Sequence, residues 1–277
     1  AFPLILIFCP NVKDIIKPYL RFSSDLLINL SMISFSKFVF PILLLLVACQ
    51  KPKEKTVDEI IQKAIQNSGF DTARFTVDFD FRDYHYVLTR RPSFYSFSRL
   101  TFQKEIEVQD VMTSKEPLKR YLNGISTQLS DSIQGVYSNS LNSVMYFFQL
   151  PKPLKDGAVI KKLMRSVEID GNFYWTIKVI FKEDGGGKDF QDEYRYWINQ
   201  ETYEIDFLAY NYLTDGGGTR FRRAINKREV EGIFFQDYEN YKPAHKLEPL
   251  DNLPQLFHQG NLEQVSLIEN KNIKVTK

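Results

Sequence analysis

Between residues 74 and 82 the chain alternates strictly. Phe75, Val77, Phe79 and Phe81 are apolar, and Arg74, Thr76, Asp78, Asp80 and Arg82 stand between them. A period of two puts alternate residues on one side of a strand, so this stretch predicts a half-buried β-strand with a phenylalanine-rich inner face. Tyr84, Tyr86 and Leu88 continue the pattern after a turn near Asp83, and residues 94–102 predict a third strand beyond the Pro92-Ser93 turn. Ahead of these strands the period is helical. Ile60, Ile61, Ala64 and Ile65 recur between Thr56-Val57-Asp58-Glu59, which has the form of a capping box, and Gly69, placed to end a helix. Residues 103–132 show no clear period. Leu141, Val144, Met145 and Phe148 then restore a helical face that Pro151 stops, and a further short helix is predicted over residues 157–164.

From Val167 onward the pattern is strand and turn only. Asp170-Gly171 is a hairpin signal, and Asp184-Gly185-Gly186-Gly187 and Asp215-Gly216-Gly217-Gly218 punctuate later pairs. Strands are predicted over residues 194–198, 203–212, 219–228 and 233–241. The order lacks the strand–helix alternation of a parallel α/β fold. It predicts an α+β domain over residues 56–277: a single, strongly curved antiparallel sheet of roughly eight to eleven strands, an incomplete barrel, with helices covering its concave face. Tyr203, Ile205, Phe207 and Ala209 are expected to share one side of their strand.

The longest apolar run lies near the start. From Phe38 to Ala48 it is shorter than the ~20 residues a membrane-spanning helix needs, and it has the length of a signal-peptide core. Leu46-Val47-Ala48-Cys49 has the form of a lipobox, Lys37 supplies the positive charge ahead of it, and Met32 falls where such a signal would start. Residues 1–31 are thus expected to be an upstream over-extension, 32–48 a lipoprotein signal peptide, and 49–55 a polar tether. Cys49 becomes the lipid-attachment site, with a thiol that takes diacylglycerol. Several acyl chains, at ~0.8 kcal/mol per buried methylene, hold such a chain on a membrane. The other cysteine, Cys9, precedes the cut, so the mature chain is expected to hold no thiol or disulfide.

Charge then changes the picture. The whole chain has 36 Lys and Arg against 34 Asp and Glu, but four of those bases and two of those acids precede Cys49, which leaves 32 of each. A neutral mature surface argues against a nucleic-acid partner.

Few motifs carry chemistry. The first glycine triplet precedes Lys188, but Lys182 occupies the position where a phosphate-binding loop needs its earlier glycine, and Asp189 follows the lysine. Both triplets are expected to be plain turns. His85, His245 and His258 have no partners at metal-ligand spacing, so neither metal nor cofactor is expected. Asp78 and Asp80 share a strand face, and with Asp192 they are the carboxylates an envelope hydrolase would use. The densest polar-aromatic stretch runs from Thr219 to Arg228 and is followed by Phe234 to Tyr241. On adjacent strands its arginines either pair with Asp237 or Glu239, or face an anion at a cavity mouth, which the guanidinium fork suits.

Asn139-Ser140-Leu141-Asn142-Ser143-Val144, Leu150-Pro151, Asp156-Gly157-Ala158-Val159, Tyr196-Trp197-Ile198-Asn199, Arg220-Phe221-Arg222 and Asp237-Tyr238-Glu239-Asn240-Tyr241 resemble a family of bacterial envelope lipoproteins of unassigned function. Trp197 to Thr202 is also similar to a strand-turn segment of LolA/LolB-like lipoprotein-carrier domains. That likeness implies an incomplete antiparallel barrel closed by helices around an apolar cavity. An aldolase label, which relatives of the family carry, would need a βα barrel that the pattern lacks. The expected function is a membrane-anchored periplasmic lipoprotein that binds a lipid, acyl chain or other hydrophobic molecule without catalysis. Candidate ligand-binding residues are Phe79, Phe81, Tyr84 and Tyr86 on the first strands. Phe207, Ala209, Arg220 and Arg222 are the candidates on the later ones. The alternatives are the carboxylate hydrolase and a purely structural lipoprotein with a solid core.

Overall fold

The computed structural model describes residues 54–184, 191–213 and 216–277. The expected signal peptide, the expected lipid-attachment residue Cys49, the first glycine triplet with Lys188 and Asp189, and Asp215 lie outside the described residues.

Helix α1, Val57–Ser68, forms as its sequence demands. The Thr56 hydroxyl accepts the Glu59 amide at 3.2 Å, and the Glu59 carboxylate accepts the Thr56 amide at 2.7 Å, so two orphan amides are satisfied reciprocally. Gly69 closes the helix in the left-handed conformation at φ 75°. Six antiparallel strands follow: β1 Phe75–Phe81, β2 Tyr84–Arg91, β3 Phe94–Gln103, β4 Ile106–Thr113, β5 Lys119–Leu122 and β6 Ile125–Thr127. Helix α2 spans Asp131–Phe148, with the Ser130 hydroxyl accepting the Ile133 amide as its N-cap. After a 3-10 turn at Lys152–Lys155 come β7 Val159–Leu163, β8 Val167–Ile169, β9 Asn172–Phe181, β10 Glu193–Asn199, β11 Ile205–Tyr212, β12 Gly218–Val230 and β13 Ile233–Pro243. A second 3-10 turn, Leu250–Asn252, leads into the short helix α3, Leu253–His258, and the chain ends on β14 Leu262–Ile268 and β15 Lys271–Thr276.

The described residues form mostly antiparallel sheet with few helices, and no sheet among them closes on itself. The single sheet expected from the sequence is instead two. A seven-stranded sheet runs β15-β1-β2-β3-β4-β5-β6, and an eight-stranded one runs β14-β13-β12-β11-β10-β9-β7, with β8 paired to β9 off that path. Only Glu269 and Asn270 separate β14 from β15, so one continuous run of chain belongs first to one sheet and then to the other. Asp237 fixes that crossing. Its buried carboxylate accepts both Arg228 nitrogens at 3.1 Å and the Asn270 amide at 2.9 Å.

The helix expected over 157–164 is corrected to strand β7, which pairs with β9 from Val159↔Phe181 to Leu163↔Ile177. Val159 is buried and Ile160 exposed, a period of two, and β-branched neighbours prefer the pleated surface. The shared face expected for Tyr203, Ile205, Phe207 and Ala209 also fails. The pairing of β10 with β11 slips between Trp197↔Phe207 and Ile198↔Ile205, which inserts Asp206 as an extra residue. Beyond that bulge the parity reverses, so Ile205 and Leu208 point one way and Phe207 and Ala209 the other.

The eight-stranded sheet is consequently buried on both faces. On one face Ile205, Leu208, Tyr194, Tyr196 and Ile198 pack with α1 through Ile60, Ile61, Ala64 and Ile65, and with Tyr146 and Phe147 of α2. On the other, Trp197, Phe207, Ala209 and Phe221 pack with Ile169, Leu250, Leu253 and Phe257. The opposite side of α2 buries Leu141 and Met145 against Val77, Phe79, Tyr86 and Leu88 of the seven-stranded sheet. One helix thus contributes to both cores, and its Ser140–Val144–Phe147 stripe is left between them.

Candidate functional site

That stripe borders a groove of about 530 Å³. Ser140, Ser143, Val144 and Phe147 recur at helical spacing along one side of α2, and Phe148 follows them into the wall. Phe81 and Arg82 close one end from the β1–β2 turn, where Arg82 takes a left-handed φ of 54°. Tyr210, Arg220, Arg222, Tyr238 and Asn240 form the floor from β11, β12 and β13, and Val265, Ser266, Ile268 and Asn270 form the far wall from β14 and the crossing between sheets. A smaller chamber of about 50 Å³ shares Phe147, Phe148 and Tyr238 with the groove and continues toward Ala64 of α1 and Phe235. The aromatic wall is fixed by ring contacts: Phe148 stacks on Phe79 at 3.7 Å between centroids and on Phe235 at 5.3 Å. Phe147 lies 5.6 Å from Tyr210.

Electrostatics divides the arginines of β12 by strand face. Arg223 pairs with Glu239 at 2.8 Å and Arg228 with Asp237 at 3.1 Å, the cross-strand ion pairs that the sequence offered as one outcome. Arg228 shares the Arg223 side because the pairing slips between Ile225 and Arg228, whereas Arg220 and Arg222 lie on the other face of β12 and line the groove. Arg222 donates to the Tyr210 hydroxyl at 2.9 Å and lies over the Phe147 ring at 4.1 Å. Arg220 lies over Tyr212 at 5.2 Å and donates to the Thr219 carbonyl. Burial pushes the Tyr238 phenol up to about 12, so Tyr238 places no negative charge near Arg222 at neutral pH. Burial likewise raises Tyr146 and Tyr196, whose hydroxyls meet at 3.1 Å where α2 crosses β10.

Of the eight ligand-binding candidates, Phe81, Arg220 and Arg222 line the groove directly. Phe79 stands behind it, stacked on Phe148, with Tyr86 at 5.2 Å on its other face. Tyr84 packs on Tyr86 and under the Arg99 guanidinium at 5.0 Å, away from the lining. Phe207 and Ala209 lie on the opposite face of their sheet, in the cluster with Trp197 and Phe221. Their placement follows from the Asp206 bulge. The groove also draws on Ser140, Ser143, Phe147, Arg82 and the β14 residues, none of which the sequence pointed to as ligand-binding. The i, i+3, i+4, i+7 spacing of Ser140, Ser143, Val144 and Phe147 was the available signal, but small polar residues in a helix look like a solvated face.

The carboxylates put forward for a hydrolase stand elsewhere. His85 bonds Asp80 at 2.7 Å and lies 3.9 Å from Asp78 on the exposed side of β1 and β2, with Asn272 donating to Asp80 at 2.7 Å. Hydrogen bonds from Asn272 and His85 hold the Asp80 carboxyl below its usual range, which keeps it a strand-pairing anion. Asp192 is buried just ahead of β10 in the other sheet.

Comparison with known proteins gives distant structural likenesses. A LolA superfamily protein from Nitrosomonas europaea is 13% identical over 81% of this chain and 95% of its own, with a TM-score of 0.48. A putative outer membrane lipoprotein-sorting protein domain from Vibrio parahaemolyticus is 8% identical over 79% and 92%, with a TM-score of 0.42. A DUF1329 family protein from Desulfovibrio piger is 11% identical over 80% and 93%, with a TM-score of 0.41. No curated protein matches the sequence. A family model matches residues 35–270, from the apolar run through the crossing between the sheets, and the chain belongs to that family, the family of unknown function DUF6503.

Proposed function

We propose that this protein is a lipid-anchored lipoprotein of the cell envelope, facing the periplasm, that holds a hydrophobic molecule, a lipid or acyl chain, in the groove beside α2 and does no chemistry on it. The observation that carries the proposal is the groove itself. Its volume of about 530 Å³ falls within the ~300–1,000 Å³ of sites that enclose small ligands, and Phe81, Val144, Phe147, Phe148 and Ile268 supply an apolar wall. Joined at Glu269-Asn270, the two sheets act together as an open half-barrel, with α1 and α2 in its hollow. Cys49 is the anchor.

Filling the groove tests the binding. Ser143 is an exposed residue of the α2 stripe, so Ser143→Trp is expected to occupy the groove at little cost in stability and to abolish lipid retention, measured by native mass spectrometry of the protein purified from membranes. Ala209→Trp is the contrast. Ala209 is fully buried on the far face, so the added ring overpacks a filled core at a cost of ~1–3 kcal/mol or more, without entering the groove. Lipid retained by Ser143→Trp, or none held by the parent, counts against a carrier.

The anchor has its own test. Cys49→Ala is expected to leave an uncleaved precursor that takes up no labelled palmitate. If the alanine variant still runs at the mature size and stays labelled, the lipid is attached elsewhere.

A further inference from the structure

We infer that the ligand of this groove is an amphiphile: a single acyl chain ending in an anionic oxygen head, carboxylate or phosphate, with the head held by Arg222. The inference rests on the lipid-carrier reading of the groove and adds the chemistry of the head.

Three arginines are buried among the described residues: Arg99, Arg195 and Arg222. Two of them have carboxylates against them. Arg99 meets Asp110 at 2.9 Å, and Arg195 meets Glu193 and Asp251 at 2.8 Å each. Arg222 is only 9% exposed, and its one hydrogen-bond partner among the described residues is the Tyr210 hydroxyl. Its Nε is fully covered and donates to nothing. Burying a charge without a counter-charge is costly, and an unpaired donor on that charge adds to the cost. Such a group persists where another molecule supplies the missing acceptor.

The surroundings agree. The described residues lining the groove include no aspartate or glutamate, whereas Arg82, Arg220 and Arg222 all line it, and none of the three pairs with a carboxylate among the described residues. The guanidinium fork of Arg222 suits two oxygens of one carboxylate or phosphate. Asn240, directly opposite Arg222 on β13, has a buried side-chain oxygen with no partner, which a hydroxyl next to the anionic group would satisfy. Tail and head are therefore matched by different parts of one groove. The Phe81, Phe147, Phe148 and Ile268 wall takes the chain, and Arg222 takes the charge, with Arg220 and Arg82 placed to attract it.

The test uses the full-length protein in a sterol-based detergent, which offers no competing acyl chain. Oleate, oleoyl lysophosphatidate and neutral monoolein share one chain and differ in the head. Both anions are expected to bind at least about tenfold more tightly than monoolein. Arg222→Gln is expected to bring them down to the monoolein level while monoolein itself is unchanged. The comparison of heads on the unaltered protein needs no variant, so it decides even where Arg222→Gln does not fold. Monoolein binding as tightly as the anions, or Arg222→Gln weakening all three equally, overturns the anionic head and leaves the lipid carrier standing. Displacement of lysophosphatidate by inorganic phosphate at matched concentration makes this a free-phosphate site and overturns the amphiphile. Binding of none of the three overturns both readings.

Discussion

Asp110→Ala is expected to remove about 3–5 kcal/mol of folding stability, the cost of leaving a buried charge network without its anion. Asp110 is 1% exposed and is the shared acceptor of two arginines. Arg99 donates to it at 2.9 Å, and Arg120 donates through two nitrogens at 2.7 and 2.8 Å. Alanine would strand the Arg99 guanidinium with the Ser140 hydroxyl at 2.8 Å and the faces of Tyr84 and Tyr137. Those contacts orient a cation without neutralising it. In a domain of this size the loss corresponds to a fall in Tm of roughly 6–20 °C. Chemical denaturation with an unchanged m-value measures it, and a cost below about 1 kcal/mol would show that solvent reaches the site and screens it. Adding Arg99→Met to Asp110→Ala is expected to recover part of the loss, because a buried ionic cluster replaced by apolar residues is often neutral. The network also bears on the groove. Ser140 lines it and bonds Arg99, so the seven-stranded sheet holds α2 in place through this cluster.

Most of the elements near the start of the described residues were legible because each obeys one local rule. The alternation from Phe75 to Phe81 became β1, with Phe75, Val77 and Phe79 buried, and the Thr56–Glu59 box with Gly69 became α1. The first sheet was underread because β5 and β6 have only 4 and 3 residues, too short for a period to emerge, and because the inner face of β4 carries the buried Asp110 beside Val108, which hides its alternation. The groove was half legible for a different reason. Arginines at 220, 222 and 223 could face either way, and only the strand register separates the ion-paired Arg223 from Arg222. Register is a tertiary property, and a one-residue bulge inverts it. The Asp206 bulge did so on β11, which moved Phe207 and Ala209 to the far face while Ile205 shares its side with Leu208. The helix wrongly expected at β7 shows the same limit, since Val159-Ile160-Lys161-Lys162-Leu163 is too short for its period to choose between helix and strand.

Gly69→Ala is expected to cost about 2–5 kcal/mol, far more than a helix-ending glycine costs on an open surface. Two terms add. At φ 75° an alanine pays ~1–2 kcal/mol for the left-handed conformation. Its Cβ would then stand 2.0 Å from the Gly232 carbonyl oxygen, 3.0 Å from the Gly232 carbonyl carbon and 3.1 Å from the Ile233 Cα. All three are backbone atoms of the β12–β13 turn, so no side chain can swing aside, and α1 must lift off that turn or the turn must move. Overpacking of this kind costs a further ~1–3 kcal/mol. The displacement would spread to Phe70, which packs against Phe75 at 5.9 Å and Phe235 at 5.7 Å, and to Ala64 and Ser68, which line the chamber behind the groove. Gly171→Ala supplies the control. Gly171 sits at φ 80° in the β8–β9 turn with nothing within 4 Å of an added Cβ, so it pays the conformational term alone. Melting both variants side by side isolates the contact between α1 and the β12–β13 turn. Equal losses would mean that helix and turn do not touch as closely as 2.0 Å requires. An excess in Gly69→Ala, accompanied by weaker lipid retention, would establish that the seating of α1 on this turn shapes the inner end of the groove.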